Sequence, residues 1–146
     1  MPSEEKVIAL AKEVALFHGI DPHDVVKIFA KGMTQRVAKG ETIFFKGTTG
    51  SRMYVVLGGT VGIFDGAKQI ASLTQGDMFG EMALTTHEPR SASAVALEDS
   101  YVFTLDEAIF ERLLTKRVAV RILLNIIDTL CHRVKDANAR IRQLTE

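Results

Sequence analysis

The apolar positions of the chain change rhythm twice. Near the start, Val7, Leu10, Ala11, Val14 and Phe17 recur with the three-and-four spacing of a single helical face. Ser3 stands ahead of Glu4 and Glu5, a capping residue followed by acid in the first turn. The pattern predicts a helix that Gly19 ends. Asp21-Pro22 then starts a second helix, with proline at the first helical position and Asp24 in the first turn. Val25, Ile28 and Phe29 form its apolar face, and Gly32 closes it.

From Met33 to about Leu105, short apolar runs alternate with glycine punctuation. Strands are predicted near residues 34–38, 42–45, 53–57, 60–64, 69–73, 91–97 and 101–105. Breaks fall at Lys39-Gly40, at Gly47-Thr48-Thr49-Gly50, at Gly58-Gly59, at Asp65-Gly66 and at Gln75-Gly76-Asp77. Asp65-Gly66 is a hairpin signal, because both residues tolerate the positive φ of a tight turn. Many short strands at this spacing predict a mainly β fold, a sandwich or jelly-roll β-barrel.

Beyond Asp106 the helical rhythm returns. Asp106 can cap a helix carrying Ile109, Phe110, Leu113 and Leu114, and a long helix follows from about Val118 to the end. On it Leu123, Ile127, Leu130, Val134, Ala137, Ile141 and Leu144 recur in alternating steps of four and three, a heptad seam. Such a stripe either packs on the barrel or pairs with another helix. The expected organisation is one domain: helices over residues 1–32, the barrel over 33–105 and C-terminal helices over 106–146. No flexible linker interrupts it.

Composition narrows the function. At 146 residues, 47% hydrophobic and 25% charged, the chain can bury a sizeable core and is not of the disordered class. A formal net charge of +0 gives no basic surface that advertises nucleic acid. Arg117, Arg121, Arg133, Lys135, Arg140 and Arg142 enrich the last helix, where such a run usually solvates the helix. Cys131 is the single cysteine, so no intrachain disulfide forms; beside the seam it is expected to be a small buried hydrophobe. No apolar run reaches the length of a membrane span, and no basic start precedes an apolar core, so a cytoplasmic protein is expected. His18, His23, His87 and His132 lie in different elements without metal-ligand spacing, and His87 is expected to be a solvated loop residue. No Ser-His-Asp or other catalytic arrangement is present in the sequence, and Gly58-Gly59-Thr60-Val61-Gly62 lacks the lysine of a phosphate loop. Neither enzymatic activity, nor a cofactor, nor a metal is expected.

One stretch carries chemistry: Phe79-Gly80-Glu81-Met82-Ala83-Leu84, followed by Pro89-Arg90-Ser91-Ala92-Ser93-Ala94-Val95. Amide donors at a turn plus a guanidinium make a phosphate site. A carboxylate beside them would repel the phosphate unless it faces a donor, and a sugar hydroxyl is such a donor. The residues therefore suggest a ligand with a phosphate and a free hydroxyl close together.

This stretch resembles the phosphate-binding cassette of cyclic nucleotide-binding domains, the family found in the bacterial cAMP receptor protein, the regulatory subunit of cAMP-dependent protein kinase and cyclic nucleotide-gated channels. The family pattern, apolar-Gly-Glu-x-small-apolar and then Arg-small-Ala-x-apolar, is filled by Phe79, Gly80, Glu81, Ala83 and Leu84, then Arg90, Ser91, Ala92 and Ala94. Gly47-Thr48-Thr49-Gly50-Ser51 keeps both glycines of the family's turn but carries Thr48 and Ser51 where aspartate is common.

The resemblance implies a sensor module whose ligand is cAMP or else cGMP. Arg90 would pair with the cyclic phosphate; backbone around Gly80, Met82 and Ala83, with Ser91 and Ala92, would complete its cradle. Glu81 would accept from the ribose 2′-hydroxyl. Val61, Met82 and Val95 would line the base pocket. Ser91 leans towards cAMP, since several cAMP-binding bacterial members carry serine there. Leu84 would couple the cassette to Phe110 and Leu114, moving the C-terminal helices. By likeness to the bacterial receptor, the seam would pair two copies in a parallel homodimer, and Asn138 beside Ala137 would read the purine. The DNA-reading domain that follows this helix in some members is not expected here. The rival readings are an interaction module with a vestigial pocket, and one piece of a larger regulator or channel whose output partner the sequence does not name.

Overall fold

In the computed structural model, which describes residues 4–81, 86–113 and 116–145, period-two alternation explains how the core is divided. On β3 (Arg52–Gly58), Met53 and Val55 face a cluster beneath the helices, while Tyr54 and Val56 face the barrel interior. On β8 (Ser100–Asp106), Phe103 and Leu105 point to the helices and Val102 into the barrel. A strand buried on both faces reads as a continuous apolar run, and Met53-Tyr54-Val55-Val56 does so.

The remaining strands are β1 (Met33–Val37), β2 (Thr42–Phe44), β4 (Val61–Asp65), β5 (Lys68–Leu73), β6 (Met78–Phe79) and β7 (Ser93–Ala96). They form two antiparallel four-stranded sheets in the orders β1-β8-β3-β6 and β2-β7-β4-β5, a jelly-roll-like fold. Each predicted strand is found within two residues of its expected start and end. Two-residue β6, paired through Tyr54↔Phe79 and Val55↔Met78, is additional. Since β6 belongs to the first sheet and β7 to the second, the connection between them crosses from one sheet to the other.

The helices pack on the outer face of the first sheet. Asp21 caps α2 (Pro22–Lys31) by accepting from the His23 amide at 2.9 Å, and Asp106 accepts from the Ala108 amide at 2.9 Å at the start of α3 (Glu107–Leu113). The helix expected to run to Gly19 is instead α1 (Glu4–Ala11) followed by a 3-10 turn at Ala15–Phe17. Leu16 explains the break. In an unbroken helix it would point away from the face shared by Val14 and Phe17, yet all three are buried; extended backbone at Val14 (φ −95, ψ 112) turns them all inward. Phe17, Phe29 and Phe103 meet there, with Phe29 stacked on Phe103 at 4.5 Å between centroids.

The last helix, α4 (Lys116–Thr145), divides into two parts. Val118, Ile122 and Ile126 enter the helix-side core. Asn125, also buried, donates to the Leu16 and His18 carbonyls at 2.7 and 2.9 Å. After Ile126 the apolar seam leaves the barrel: Ile127, Leu130, Val134, Ile141 and Leu144 are exposed. Cys131 is exposed as well, contrary to the buried position expected for it: two residues apart on a helix point to nearly opposite sides, and Arg133 is the one that faces the barrel. Among the described residues no helix is long and apolar enough to cross a membrane.

Candidate functional site

The connection between β6 and β7 begins at Gly80, whose φ of +72 is a conformation L side chains rarely adopt. A Cβ there would also lie 2.8 Å from Arg90 Nη1. Gly50 is constrained by the same side chain, since its Cβ would lie 2.9 Å from Arg90 Nη2. The two glycines leave room for one guanidinium. The backbone of Arg90 is held as well: its carbonyl accepts from Gly47 N and its amide donates to Thr48 O, both at 2.8 Å.

Arg90 is nearly buried. Nη1 donates to the Gly80 carbonyl at 3.1 Å and Nη2 to the Arg52 carbonyl at 2.7 Å. Phe44, Tyr54 and Phe79 pack together beneath it, and the guanidinium carbon sits 4.3 Å from the centre of the Phe44 ring. Burial pulls its pKa below the ordinary arginine value, with Tyr54 and Glu81 acting in the opposite sense. Arginine still remains charged under any ordinary condition. A guanidinium has more N–H donors than these two carbonyls use, so the group can still hold an anion in the cavity it lines.

Glu81 is buried too, and its partner comes from α4. Arg133 donates through Nη1 to Glu81 Oε1 at 2.9 Å and through Nη2 to the Met78 carbonyl at 2.7 Å. Nothing in the sequence ties these positions together. The spacing of Arg133, Asp136, Ala137 and Arg140 puts them on one helical face, but that this face meets the cassette depends on how α4 docks.

These groups surround a cavity of about 410 Å³. Phe44, Ile63, Ala71, Leu73 and Phe79 form its apolar wall from the strands. Gly80, Glu81, Pro89, Arg90, Ser91 and Ala92 form the floor, and Arg133, Asp136, Ala137 and Arg140 close it from α4. The lining combines a fixed cation, a carboxylate and an apolar wall, which suits a ligand with an anionic group, a hydroxyl and an apolar body. Among the described residues no group of three or more His, Cys, Asp or Glu is placed to hold a metal ion.

Of the residues singled out from the sequence, Phe79, Gly80, Glu81, Arg90, Ser91 and Ala92 come together around this cavity. Met82, Ala83, Leu84 and Leu114 lie outside the described residues. Val61 is wholly buried between the sheets and does not line the cavity; two residues along the same face of β4, Ile63 takes the wall position. Val95 is turned outward by the alternation that sends Ala94 and Ala96 inward. Asn138 is exposed and off the wall, while its neighbour Ala137 is on it. Phe110 packs at the edge of the helix-side core. His87, with φ of 56, sits with Nε2 3.0 Å from Glu107 Oε1, so the loop ahead of Arg90 touches the first turn of α3. Ser51, a departure from the family's turn, donates from its hydroxyl to Asp106 at 3.0 Å, and its backbone carbonyl accepts from the Glu107 amide at 2.8 Å.

Comparison with known proteins supplies an independent line. The family model for the cyclic nucleotide-binding domain matches residues 34–117. A cAMP-dependent protein kinase regulatory subunit of Hypocrea atroviridis is 37% identical over 103 residues, covering 70% of this chain and 22% of the relative. The cyclic AMP receptor protein of Thermus thermophilus is 30% identical over 135 residues, covering 89% of this chain and 62% of the relative. The chain thus spans less than two thirds of either relative. A crystal structure of a cyclic nucleotide-binding domain from Methylobacillus flagellatus superposes with a TM-score of 0.83 over 94% of this chain and 82% of its own, at 21% identity, a likeness of fold.

Proposed function

The chain belongs to the cyclic nucleotide-binding domain family, and from that premise we propose that its cavity binds cAMP and that binding acts on the C-terminal helices, without catalysis. The observation that carries this reading is the nearly buried Arg90, held by two backbone carbonyls and an aromatic face in the cavity lining. A buried charge is costly unless it meets an opposite one, and a cyclic phosphate supplies it. Further support comes from the relatives: one is named a cAMP-dependent kinase regulatory subunit, the other a cyclic AMP receptor protein.

In this reading Arg90 takes the phosphate, with backbone around Gly80, Met82 and Ala83 and the Ser91-Ala92 segment completing the cradle. Glu81 accepts from the ribose 2′-hydroxyl, and the base lies along the apolar wall of Ile63, Ala71 and Leu73. Leu84, Phe110 and Leu114 pass the change to α3 and α4. A ligand moves such an equilibrium only by binding one arrangement better than the other. The exposed seam from Ile127 to Leu144 pairs with a second copy in a parallel dimer. Pairing would bring the second copy's Asn138 towards the purine edge, a role that Asn138→Ala tests by its effect on the ratio of cAMP to cGMP affinities.

Calorimetry with cAMP, cGMP and cyclic dinucleotides tests the ligand. The expected result is cAMP binding that Arg90→Ala weakens by about 2–5 kcal/mol, the loss of a charge-assisted bond to a desolvated anion. Equal affinity in wild type and Arg90→Ala would remove the assignment.

A further inference from the structure

Among the described residues His87 is the one non-glycine with a positive φ, at 56. It stands three residues ahead of Arg90, in the loop that leads to it. A left-handed backbone is costly for a side chain and persists where the surroundings hold it. What holds His87 is visible at the far end of its side chain, where Nε2 lies 3.0 Å from Glu107 Oε1. The carboxylate is the fixed member of the pair. Its side chain is 19% exposed against 61% for the imidazole, and its backbone amide donates to the Ser51 carbonyl at 2.8 Å. Beside it Asp106 accepts from the Ser51 hydroxyl and from the Ala108 amide. The first turn of α3 is therefore tied down, and His87 reaches it from the loop that carries Arg90.

The other charges of this corner are few. Glu88 follows His87 on the loop, and Glu111 stands one turn beyond Glu107 on α3. Arg52 Nε lies 3.8 Å from Asp106 Oδ2, and Arg90 donates to the Gly80 and Arg52 carbonyls. A histidine–glutamate pair attracts most strongly with the imidazole protonated and the carboxylate ionised, between the ordinary titrations of the two side chains at about pH 4.3 and about pH 6.5. Above that window the imidazole is neutral and the attraction falls to that of a hydrogen bond. We propose that His87 is a positioning residue for the ligand site: protonated, it draws the loop onto the first turn of α3 and so sets the segment that presents Arg90, which makes ligand affinity depend on pH. The inference deepens the cyclic nucleotide reading above and rests on it. Proton and ligand favour the same arrangement of loop and helix, so each tightens the binding of the other.

The test is calorimetry on the full chain with cAMP at about pH 6 and about pH 8, on either side of the histidine titration. Wild type is compared with His87→Asn, Glu107→Gln and the double variant. Asparagine tolerates the left-handed backbone but does not titrate, and glutamine keeps the shape of Glu107 without its charge. Wild type is expected to bind cAMP about two- to fivefold more tightly at the lower pH, the range of a partly exposed ion pair. Each single variant loses that dependence, and the double variant loses no more than either one, because the pair acts as a unit. Between the two pH values, in buffers of different ionisation heat, wild type takes up a fraction of a proton on binding and His87→Asn takes up less. A merely structural role would change affinity by the same factor at both pH values. Wild type that binds cAMP with the same pH dependence as His87→Asn, or no more tightly at the lower pH, overturns the inference alone. Wild type that binds no cyclic nucleotide overturns the functional reading and this inference with it.

Discussion

The two parts of α4 are built from similar residues and have opposite surroundings. Up to Ile126 the helix is fixed from below: Ile122 is fully buried, and Asn125 ties it to the carbonyls of the 3-10 turn. Past Ile126 the large apolar positions face outward, with Val134 58% exposed, and Arg133 ties the helix to the barrel. Packing makes the first part a fixture of the fold. The second part is held to the barrel by the contacts of Arg133 beside the cavity, and in the proposed function its position follows the state of that cavity.

Substitutions separate the two parts. Ile122→Ala should produce the largest effect, a loss of about 2–5 kcal/mol of stability by denaturant unfolding, because it opens a cavity in a closed core. Ile141→Ala, on the outer part, should shift the unfolding of dilute protein by less than about 0.5 kcal/mol. Similar losses at the two sites would erase the contrast. Asn125→Ala ranks next at about 1–3 kcal/mol, since two carbonyls lose their donor where water is scarce. Leu130→Asp with Val134→Asp should leave the unfolding of dilute protein nearly unchanged and act on association instead. Light scattering should then give a dimer mass for wild type and a monomer mass for the variant. A wild-type monomer at tens of micromolar, with and without cAMP, would reject the pairing.

The contrast also marks what could be read in advance. Strand positions were legible because glycine-bounded runs repeat with period two, and the caps at Asp21 and Asp106 because capping is local chemistry. The heptad spacing was equally legible, but spacing alone does not say which residues of a stripe meet a sheet. Ile122 and Asn125, off the seam, turned out to be the anchors. Within the site, Glu81 and Arg90 were visible as a local motif. Arg133 was not, because its link to Glu81 spans 52 positions and depends on the docking of a whole helix. Val61 and Ile63 show a smaller version of the problem: alternation identifies the face of β4, while the depth of the cavity along that face is a property of the assembled barrel.

Amide hydrogen exchange across α4, with and without saturating cAMP, addresses the central claim most directly, because it reads local opening separately in each part of the helix. The account predicts slow exchange over residues 116–126 in both states, and protection of residues 127–145 and of the cassette that rises when cAMP binds. Bound cAMP, established by calorimetry on the same sample, with exchange unchanged over residues 127–145 would contradict it.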